Sequence, residues 1–168
     1  SHPAQTIVPD DQPSFQLDPT TAWTIIFGRG GAPIGYNTMR MDAQGTVQLV
    51  YYDYVQAPKG GWRLVGKKGL LTLSAEDISA FIEYINASSL LEIPTVYRAV
   101  IYDGTRWAVV IEQGEYQKTI SCINHFPEEM IEFANTIDQL LIMSGLFEIV
   151  WETISRDEAD RYEKTLWK

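Results

Sequence analysis

Residues 36–54, YNTMRMDAQGTVQLVYYDY, decide the fold of this 168-residue chain. Two runs in which apolar and polar side chains alternate, residues 36–41 and 47–54, flank the tetrapeptide Asp42-Ala43-Gln44-Gly45. Alternation with a period of two indicates strands. Asp at the first and Gly at the last of four positions are typical of a β-turn. The stretch therefore predicts an antiparallel hairpin.

The residues before this hairpin predict another strand and a glycine-rich connection. The run TAWTIIF, residues 21–27, is rich in β-branched and aromatic residues, which favour strands. The next stretch, FGRGGAPIG at 27–35, invites comparison with phosphate-binding loops. Those loops have the spacings G-x-x-x-x-G-K-[ST] or G-x-G-x-x-G and lead into a helix. This stretch has neither spacing and leads into a strand, so we interpret it as a bend in a sheet.

The rest of the chain predicts two further groups of elements. Residues 60–73 indicate a pair of short strands, and Ser74 is a typical N-cap for the helix that follows. Runs at 97–102 and 105–112 meet across Asp103-Gly104, a strong hairpin signal, before a strand at 118–123. Pro127 then opens a long helix that ends near Gly145, and a capping-box pattern at Ser155 favours a last helix. We predict an α+β domain: an antiparallel sheet with helices packed on one face, the order strands-then-helix occurring twice.

Composition indicates one globular domain behind a flexible segment. Hydrophobic residues make up 45% of the chain and charged residues 21%, as in ordinary folded proteins. Residues 1–20 contain four prolines among polar residues, so we expect a tether or tag remnant there and a single domain at 21–168. A tether ahead of a domain also suits a protein cut after an export signal or lipid anchor, in the periplasm or tethered to a membrane.

The net charge excludes several partners. A formal charge of -9 and a pI near 4.6 oppose binding to nucleic acid, which depends on Lys and Arg. No apolar run reaches the roughly 20 residues that span a bilayer, so we expect no membrane insertion.

Cys122 and His125 are the residues that most resemble a nucleophile or metal pair. Along a strand, residues three apart point to opposite faces. Cys122 has the parity of Ile120, on the face expected beneath the helices, so we interpret it as an inert core residue. The other histidine, His2, lies in the apparent tag remnant. We therefore predict no catalytic residue, no metal and no cofactor.

Acidic pairs also have structural explanations. Glu128-Glu129 and Asp157-Glu158 fall at predicted helix starts, where negative charge is favourable, and Asp10-Asp11 lies in the tether. The chain has no G-x-S-x-G, H-E-x-x-H or EF-hand pattern. An enzyme would have to assemble its site from distant segments.

Aromatic residues on the outer face of the sheet form the better binding hypothesis. If Val47, Leu49 and Tyr51 face the core, then Tyr52 and Tyr54 point outward, near Arg40 of the paired strand. Flat rings with polar tips suit a sugar or a peptide. The alternative is ordinary cross-strand pairing.

Trp62 lies in a basic cluster of an otherwise acidic chain. The cluster could dock an anionic partner, or its lysines could protect a sheet edge from aggregation. Its basic residues are Lys59, Arg63, Lys67 and Lys68.

Three segments resemble an uncharacterised bacterial domain found in exported proteins and lipoproteins. They are GGAPIGYNTMRMDAQGTVQLVYYD, LSAEDISAFIEYI and GTRWAVVIEQGEYQKTISCINHFPEEMIEFANTIDQLL, within residues 30–141. In that domain a Gly and a Cys-Pro pair precede a tyrosine strand, and the closing helix has a Pro start and an ID-x-L end. Ala32 stands where the family has the cysteine. The matching positions here are Pro33, Tyr36, Gly45, Pro127, Ile137, Asp138 and Leu140. The resemblance implies the architecture and an exported setting, and no mechanism.

These observations favour a non-enzymatic binding or interaction module outside the cytoplasm. The expected partner is a protein, a peptide or a sugar, and the candidate ligand-binding residues are Tyr52, Tyr54, Arg40 and Trp62. The alternatives are an enzyme, which should have a concave pocket with converging titratable groups, and a purely structural domain of a larger assembly.

Overall fold

The computed structural model describes residues 5–9, 14–31, 34–99 and 104–164. These residues form a nine-stranded, mostly antiparallel sheet and three α-helices, an α+β fold. The strands are β1 (Gln5–Val8), β2 (Thr24–Gly31), β3 (Gly35–Asp42), β4 (Thr46–Gln56), β5 (Trp62–Thr72), β6 (Val96–Ala99), β7 (Arg106–Gln113), β8 (Tyr116–Ile123) and β9 (Glu152–Ile154). The helices are α1 (Ala75–Ala87), α2 (Glu128–Met143) and α3 (Arg156–Glu163), with 3-10 helices at Leu90–Glu92 and Leu146–Glu148.

The strand order across the sheet corrects the prediction for the second group of strands. The order is β1-β6-β8-β7-β2-β3-β4-β5-β9, and β6 runs parallel to β8. The runs flanking Asp103-Gly104 therefore do not pair as a hairpin, because β8 lies between β6 and β7; Asp103 itself is outside the described residues. Gly114, with φ +58°, lets β7 turn directly into β8, which takes the place beside β7. Because β1 comes before the first group and β9 after α2, the predicted order covers only part of the chain.

The hairpin predicted from residues 36–54 is confirmed as β3 and β4. Gly45 has φ +87° and donates its N–H to the Asp42 carbonyl at 3.0 Å. The Asp42 carboxylate accepts from the N–H groups of Gln44 and Thr46, at 2.9 and 3.1 Å. The side chain thus satisfies turn amides that the ladder leaves unpaired.

Residues 60–73 differ from the predicted pair of short strands, because β5 is one continuous strand of 11 residues. Its glycines do not break it but make room for neighbours. A Cβ on Gly66 would lie 2.7 Å from the Ala159 side chain, and one on Gly69 would lie 2.7 Å from that of Ile149.

The main core lies between one face of the sheet, here called the inner face, and the helices α1 and α2. Phe27 of β2 meets Phe133 of α2 with ring centroids 4.9 Å apart, and Phe81 of α1 lies 6.4 Å from Phe133. Leu49 and Val47 of β4 belong to the same cluster, as their parity predicted. Burial of these apolar side chains is the main stabilising contribution to the fold.

The prediction that the helices pack on one face is wrong for α3. This helix lies on the opposite, outer face, where Ala159 packs with Val50, Tyr52 and Ile154 in a separate buried cluster. The middle of β4 carries apolar side chains on both faces, so its outer face must also be buried against another element.

The helix starts follow the sequence signals. The Ser74 and Ser155 hydroxyls accept from the N–H groups of Asp77 and Glu158, both at 3.1 Å. Glu128 and Glu129 occupy the first turn of α2 and Pro127 its N-cap. None of the described helices has the length and apolar content that crossing a bilayer requires.

The N-terminal segment differs from the predicted tether. Residues 5–8 form β1 against β6, and Leu17 is 2% exposed in the main core. The Asn86 side chain holds Leu17 by both backbone groups, accepting from its N–H at 2.8 Å and donating to its carbonyl at 2.9 Å. Composition alone does not reveal such anchoring. His2, Asp10 and Asp11 lie outside the described residues.

Candidate functional site

Tyr52 points to the outer face as predicted, but α3 covers it. The side chain is only 8% exposed, and its hydroxyl contacts the carboxylates of Asp160 and Glu163. Burial, and then the hydrogen bond to Asp160, raise the pKa of the Tyr52 phenol far above its usual value of 10.0. Tyr52 is therefore part of the outer core and exposes very little surface.

The other predicted ligand-binding residues do not form one site with Tyr52. Tyr54 pairs with Leu64, and Trp62 pairs with Gln56, so both aromatic residues lie on the outer face of the β4–β5 hairpin, 51% and 71% exposed. Arg40 pairs with Gln48, six positions from Tyr54 along β4. That separation is roughly 20 Å. Arg40 instead lines a small cavity with Tyr162 of α3.

The glycine-rich stretch is a bend between paired strands, as the sequence predicted. Gly30 is opposite Tyr36, and Gly31 is opposite Gly35, in the β2–β3 ladder. A Cβ on Gly30 would lie 2.0 Å from the Gly35 carbonyl oxygen, so this position of the β2–β3 ladder admits only glycine. Ala32 and Pro33 lie outside the described residues.

The sheet opens next to this bend, where β3 and β4 separate. Their ladder extends from the Thr38–Val50 pair to the Met41–Val47 pair, and β4 then continues with β5 alone to Gln56. At the point of separation, the Asn37 side-chain oxygen accepts the Tyr52 N–H at 2.9 Å. One residue further, the Asp53 carboxylate accepts the Tyr54 N–H at 2.9 Å. Side chains thus replace backbone partners at the opening.

The opening is a concave groove of about 460 Å³, which we call the hairpin groove. It combines the glycine bend with the exposed part of β4. Its lining residues are Arg29, Gly30, Gly31, Ile34, Gly35, Asn37, Tyr52, Asp53, Tyr54, Leu64, Gly104 and Thr105. Tyr54 is therefore the one of the four predicted residues that both lines this groove and exposes its ring.

The charged groups of the hairpin groove are paired within the protein. Arg29 binds Asp138 of α2 with two hydrogen bonds, Nη1 to Oδ2 at 3.0 Å and Nη2 to Oδ1 at 2.5 Å. The Arg29 guanidinium also lies 5.0 Å from the Phe27 ring centroid and 5.8 Å from that of Trp107, which fixes its plane. Asp53 pairs with Lys67 at 3.8 Å. The charges of Arg29 and Asp53 are therefore compensated within the protein.

The basic cluster is likewise engaged in internal contacts. Lys67 lies 4.8 Å from the Trp151 ring centroid. Lys68 is 3.7 Å from carboxylate oxygens of both Glu152 and Glu158, joining β5 to β9 and α3. These contacts account for two of its four basic residues without an anionic partner.

Cys122 lies in the core, as predicted. It is fully buried, and burial raises the pKa of its thiol to about 12, so the thiol is protonated at neutral pH. The His125 ring packs edge-on against Tyr97 at 5.4 Å. In the part of the chain that the structure describes, no three His, Cys, Asp or Glu residues are placed to hold a metal ion.

Sequence reasoning missed Asn37 and Arg29. Asn37 is a polar position in a run predicted as a strand, and Arg29 separates two glycines in a stretch predicted as a bend, so neither pattern indicates a ligand site. Only the tertiary structure joins Arg29 to Asp138, 109 residues away.

No protein-family model matches the chain, and comparisons with curated proteins and with solved structures found no significant match.

Proposed function

We propose that this protein is a non-enzymatic binding module and that the hairpin groove is its ligand site. The observation that supports this most strongly is the half-exposed Tyr54 ring on the wall of a 460 Å³ concavity. A concave site with one aromatic face and a few fixed polar groups is the usual form of a small-ligand site. An exposed tyrosine contributes area and a polar tip at small cost in conformational entropy.

The ligand chemistry follows from the groove walls. Asn37 and Thr105 supply polar side chains, and the glycines bring the backbone within reach of a ligand. Because Arg29 and Asp53 are compensated by Asp138 and Lys67, the groove favours a neutral group with a flat face, such as a peptide unit or a sugar ring.

The charge pairing also separates this function from the enzymatic alternative. General acid–base catalysis needs titratable groups whose environments push their pKa values toward the working pH. The carboxylates of Asp138 and Asp53 at the groove instead bind a guanidinium and an ammonium group. Such pairing favours positioning of side chains over proton transfer. The exported setting is proposed on the resemblance alone.

A thermal-shift screen tests the proposal. The purified protein is heated with neutral sugars, cell-wall fragments and short peptides, because a ligand that prefers the native state raises the melting temperature. The Tyr54→Ala variant should weaken any hit by roughly two- to tenfold, since ring stacking contributes about 0.5–1.5 kcal/mol. Trp62→Ala is the matched control, because Trp62 lies on the same outer face but outside the hairpin groove. A hit weakened by Trp62→Ala and unaffected by Tyr54→Ala would place the site elsewhere and refute the proposal.

A further inference from the structure

The last part of β4 has a paired strand on one side only. The β3–β4 ladder ends at the Thr38–Val50 pair, whereas the β4–β5 ladder continues to Gln56. Among the described residues, 52–56 therefore pair with β5 and with no strand on the side from which β3 has separated. These residues form an open edge inside the sheet, next to the hairpin groove.

The hydrogen-bond pattern shows which backbone groups face this open edge. In an antiparallel pair, every second residue exchanges hydrogen bonds with the neighbouring strand. At the turn between the strands, the Ala57 N–H donates to the Gly61 carbonyl at 2.9 Å, so odd-numbered positions of β4 bond with β5. The even-numbered residues Tyr52, Tyr54 and Gln56 consequently direct their backbone N–H and C=O groups toward the opening.

Two carbonyl groups at the open edge are available to a ligand. The N–H groups of Tyr52 and Tyr54 already donate to the side chains of Asn37 and Asp53, both at 2.9 Å. The carbonyl oxygens of the two tyrosines accept no hydrogen bond from the part of the chain that the structure describes. Because they are two residues apart on a strand, the two carbonyls are roughly 7 Å apart. The N–H groups along one edge of an extended peptide repeat at the same spacing.

The hairpin groove lies in the plane of the sheet, between the separated strands. Its lining includes Asn37 and Asp53, which have the parity of the inner face, and Tyr54 and Leu64, which have the parity of the outer face. The opposite wall includes glycines, which have no side chain to occupy the space. A ligand in the groove therefore lies beside β4 in the place of a neighbouring strand.

We propose that an extended peptide segment of a partner protein enters the hairpin groove and pairs with residues 52–56 of β4 as an added strand. Its N–H groups donate to the Tyr52 and Tyr54 carbonyls, and one of its carbonyls accepts the Gln56 N–H. This inference rests on the proposed function and narrows it, because a peptide, unlike a sugar, repeats its N–H groups at the spacing of the two carbonyls. Addition of a strand to an open sheet edge is a common mode of peptide recognition.

Peptides that carry equal numbers of N-methyl groups at different positions test the proposal. The parent probe is acetyl-Thr-Val-Thr-Val-Thr-amide, and binding to the full chain is measured by amide NMR titration. N-methylation of its second and fourth residues blocks one edge of the peptide, whereas N-methylation of its second and third residues blocks both edges. The first variant can still pair through its other edge. We expect it to keep the parent affinity within about threefold and the second variant to lose at least about tenfold, because several backbone hydrogen bonds are lost.

A substitution on β4 provides a second measurement. Gln56→Pro removes an N–H that faces the opening and spares the β4–β5 bonds, which use odd-numbered positions. This variant should bind the parent probe roughly two- to tenfold more weakly, as expected for one hydrogen bond, and the matched control Gln56→Ala should bind it normally. In the natural sequence, hydrogen exchange of the Gln56 amide should become slower when the probe binds. That measurement decides the question if Gln56→Pro fails to fold.

The outcomes distinguish the added strand from the groove itself. Equal affinities of the two N-methylated probes, with binding still weakened by Tyr54→Ala, would overturn strand addition and leave the proposed function intact. A sugar that binds with the same dependence on Tyr54, while the parent probe does not bind at millimolar concentration, would have the same meaning. If the probes bind in the expected order but neither Tyr54→Ala nor Gln56→Pro weakens them, the strand pairs at another edge of the sheet, and both proposals for the hairpin groove are overturned.

Discussion

The Tyr52 hydroxyl on β4 donates a hydrogen bond to the Asp160 carboxylate on α3 and thereby fastens this short helix to the outer face of the sheet. The helix has few apolar residues of its own, and Ala159 is its buried one. This polar contact therefore adds to the packing of Ala159 in holding α3 on the sheet.

Replacement of Tyr52 by Phe should destabilise the protein without removing the ring from the outer core. The loss of a hydrogen bond to a charged group costs about 1.5–3 kcal/mol. Urea unfolding should show that decrease in the free energy of unfolding, and Tyr54→Phe, on the exposed position of the same strand, should change it by less than about 0.5 kcal/mol. Equal effects of the two substitutions would show that the Tyr52 contact does not stabilise the fold.

The same contact predicts how stability depends on pH in the alkaline range. The folded-state pKa of Tyr52 is raised above 10.0, so folding favours the protonated phenol. Its contribution to stability is present below pH 10 and decreases as the pH rises above the unfolded value. Unfolding free energies measured between pH 8 and 11 should fall more steeply for the natural sequence than for Tyr52→Phe. The partly buried Tyr51 and Tyr84 and the buried Tyr97 have pKa values raised in the same direction, so the variant should keep part of the slope.

Cys122 should resist thiol reagents until the protein unfolds. Its thiol is buried and its pKa is raised to about 12, so reactive thiolate is scarce at pH 8. Labelling with a disulfide reagent should be at least a hundredfold slower in the native protein than in urea. Rapid native labelling would contradict the placement of β8 in the core.

Leu17 offers a test of the anchored N-terminal segment. Leu17→Ala should lower the free energy of unfolding by about 2–5 kcal/mol, because a fully buried leucine leaves a cavity. Ile7→Ala in the exposed strand β1 is the control and should cost much less. If neither substitution matters, residues 14–20 behave as the tether that composition suggests.

Gly30 should not accept a side chain. Gly30→Ala places a Cβ against the Gly35 carbonyl oxygen and should destabilise the hairpin by about 1–3 kcal/mol or more. Gly61→Ala is a useful comparison, since a Cβ there meets no atom within 4 Å and is strained only by the φ of +77°. We expect Gly30→Ala to lower the melting temperature more than Gly61→Ala does. A larger loss for Gly61→Ala would show that the backbones of β2 and β3 are less closely packed at Gly30 than the structure has them.

Turn and cap residues correctly predicted turns and helix starts. They failed where segments distant in sequence compete to pair with the same strand. The Asp42–Gly45 turn and the Ser74 cap depend on neighbours in sequence, and both appear as predicted. The Asp103-Gly104 signal failed because the choice of neighbour for β6 depends on β8, not on the turn residues.

The candidate site was predictable only in part for a related reason. Alternation along β4 placed Tyr52 and Tyr54 on the outer face, but periodicity cannot show that α3, 100 residues later, covers one and leaves the other exposed. The hairpin groove exists because Asn37 takes the place of a backbone partner where two strands diverge. A sequence pattern carries no signal for where a ladder stops.

The central claim is that the hairpin groove binds the ligand, and an amide NMR map of the bound protein tests it most directly. With the strongest hit of the thermal screen, shifts should concentrate at Arg29, Gly30, Gly31, Asn37 and Tyr54, and the Arg40 and Trp62 amides should stay unchanged. Shifts centred on Arg40 and Tyr162, on Trp62, or on the exposed Leu70 and Val150 surface would contradict the account.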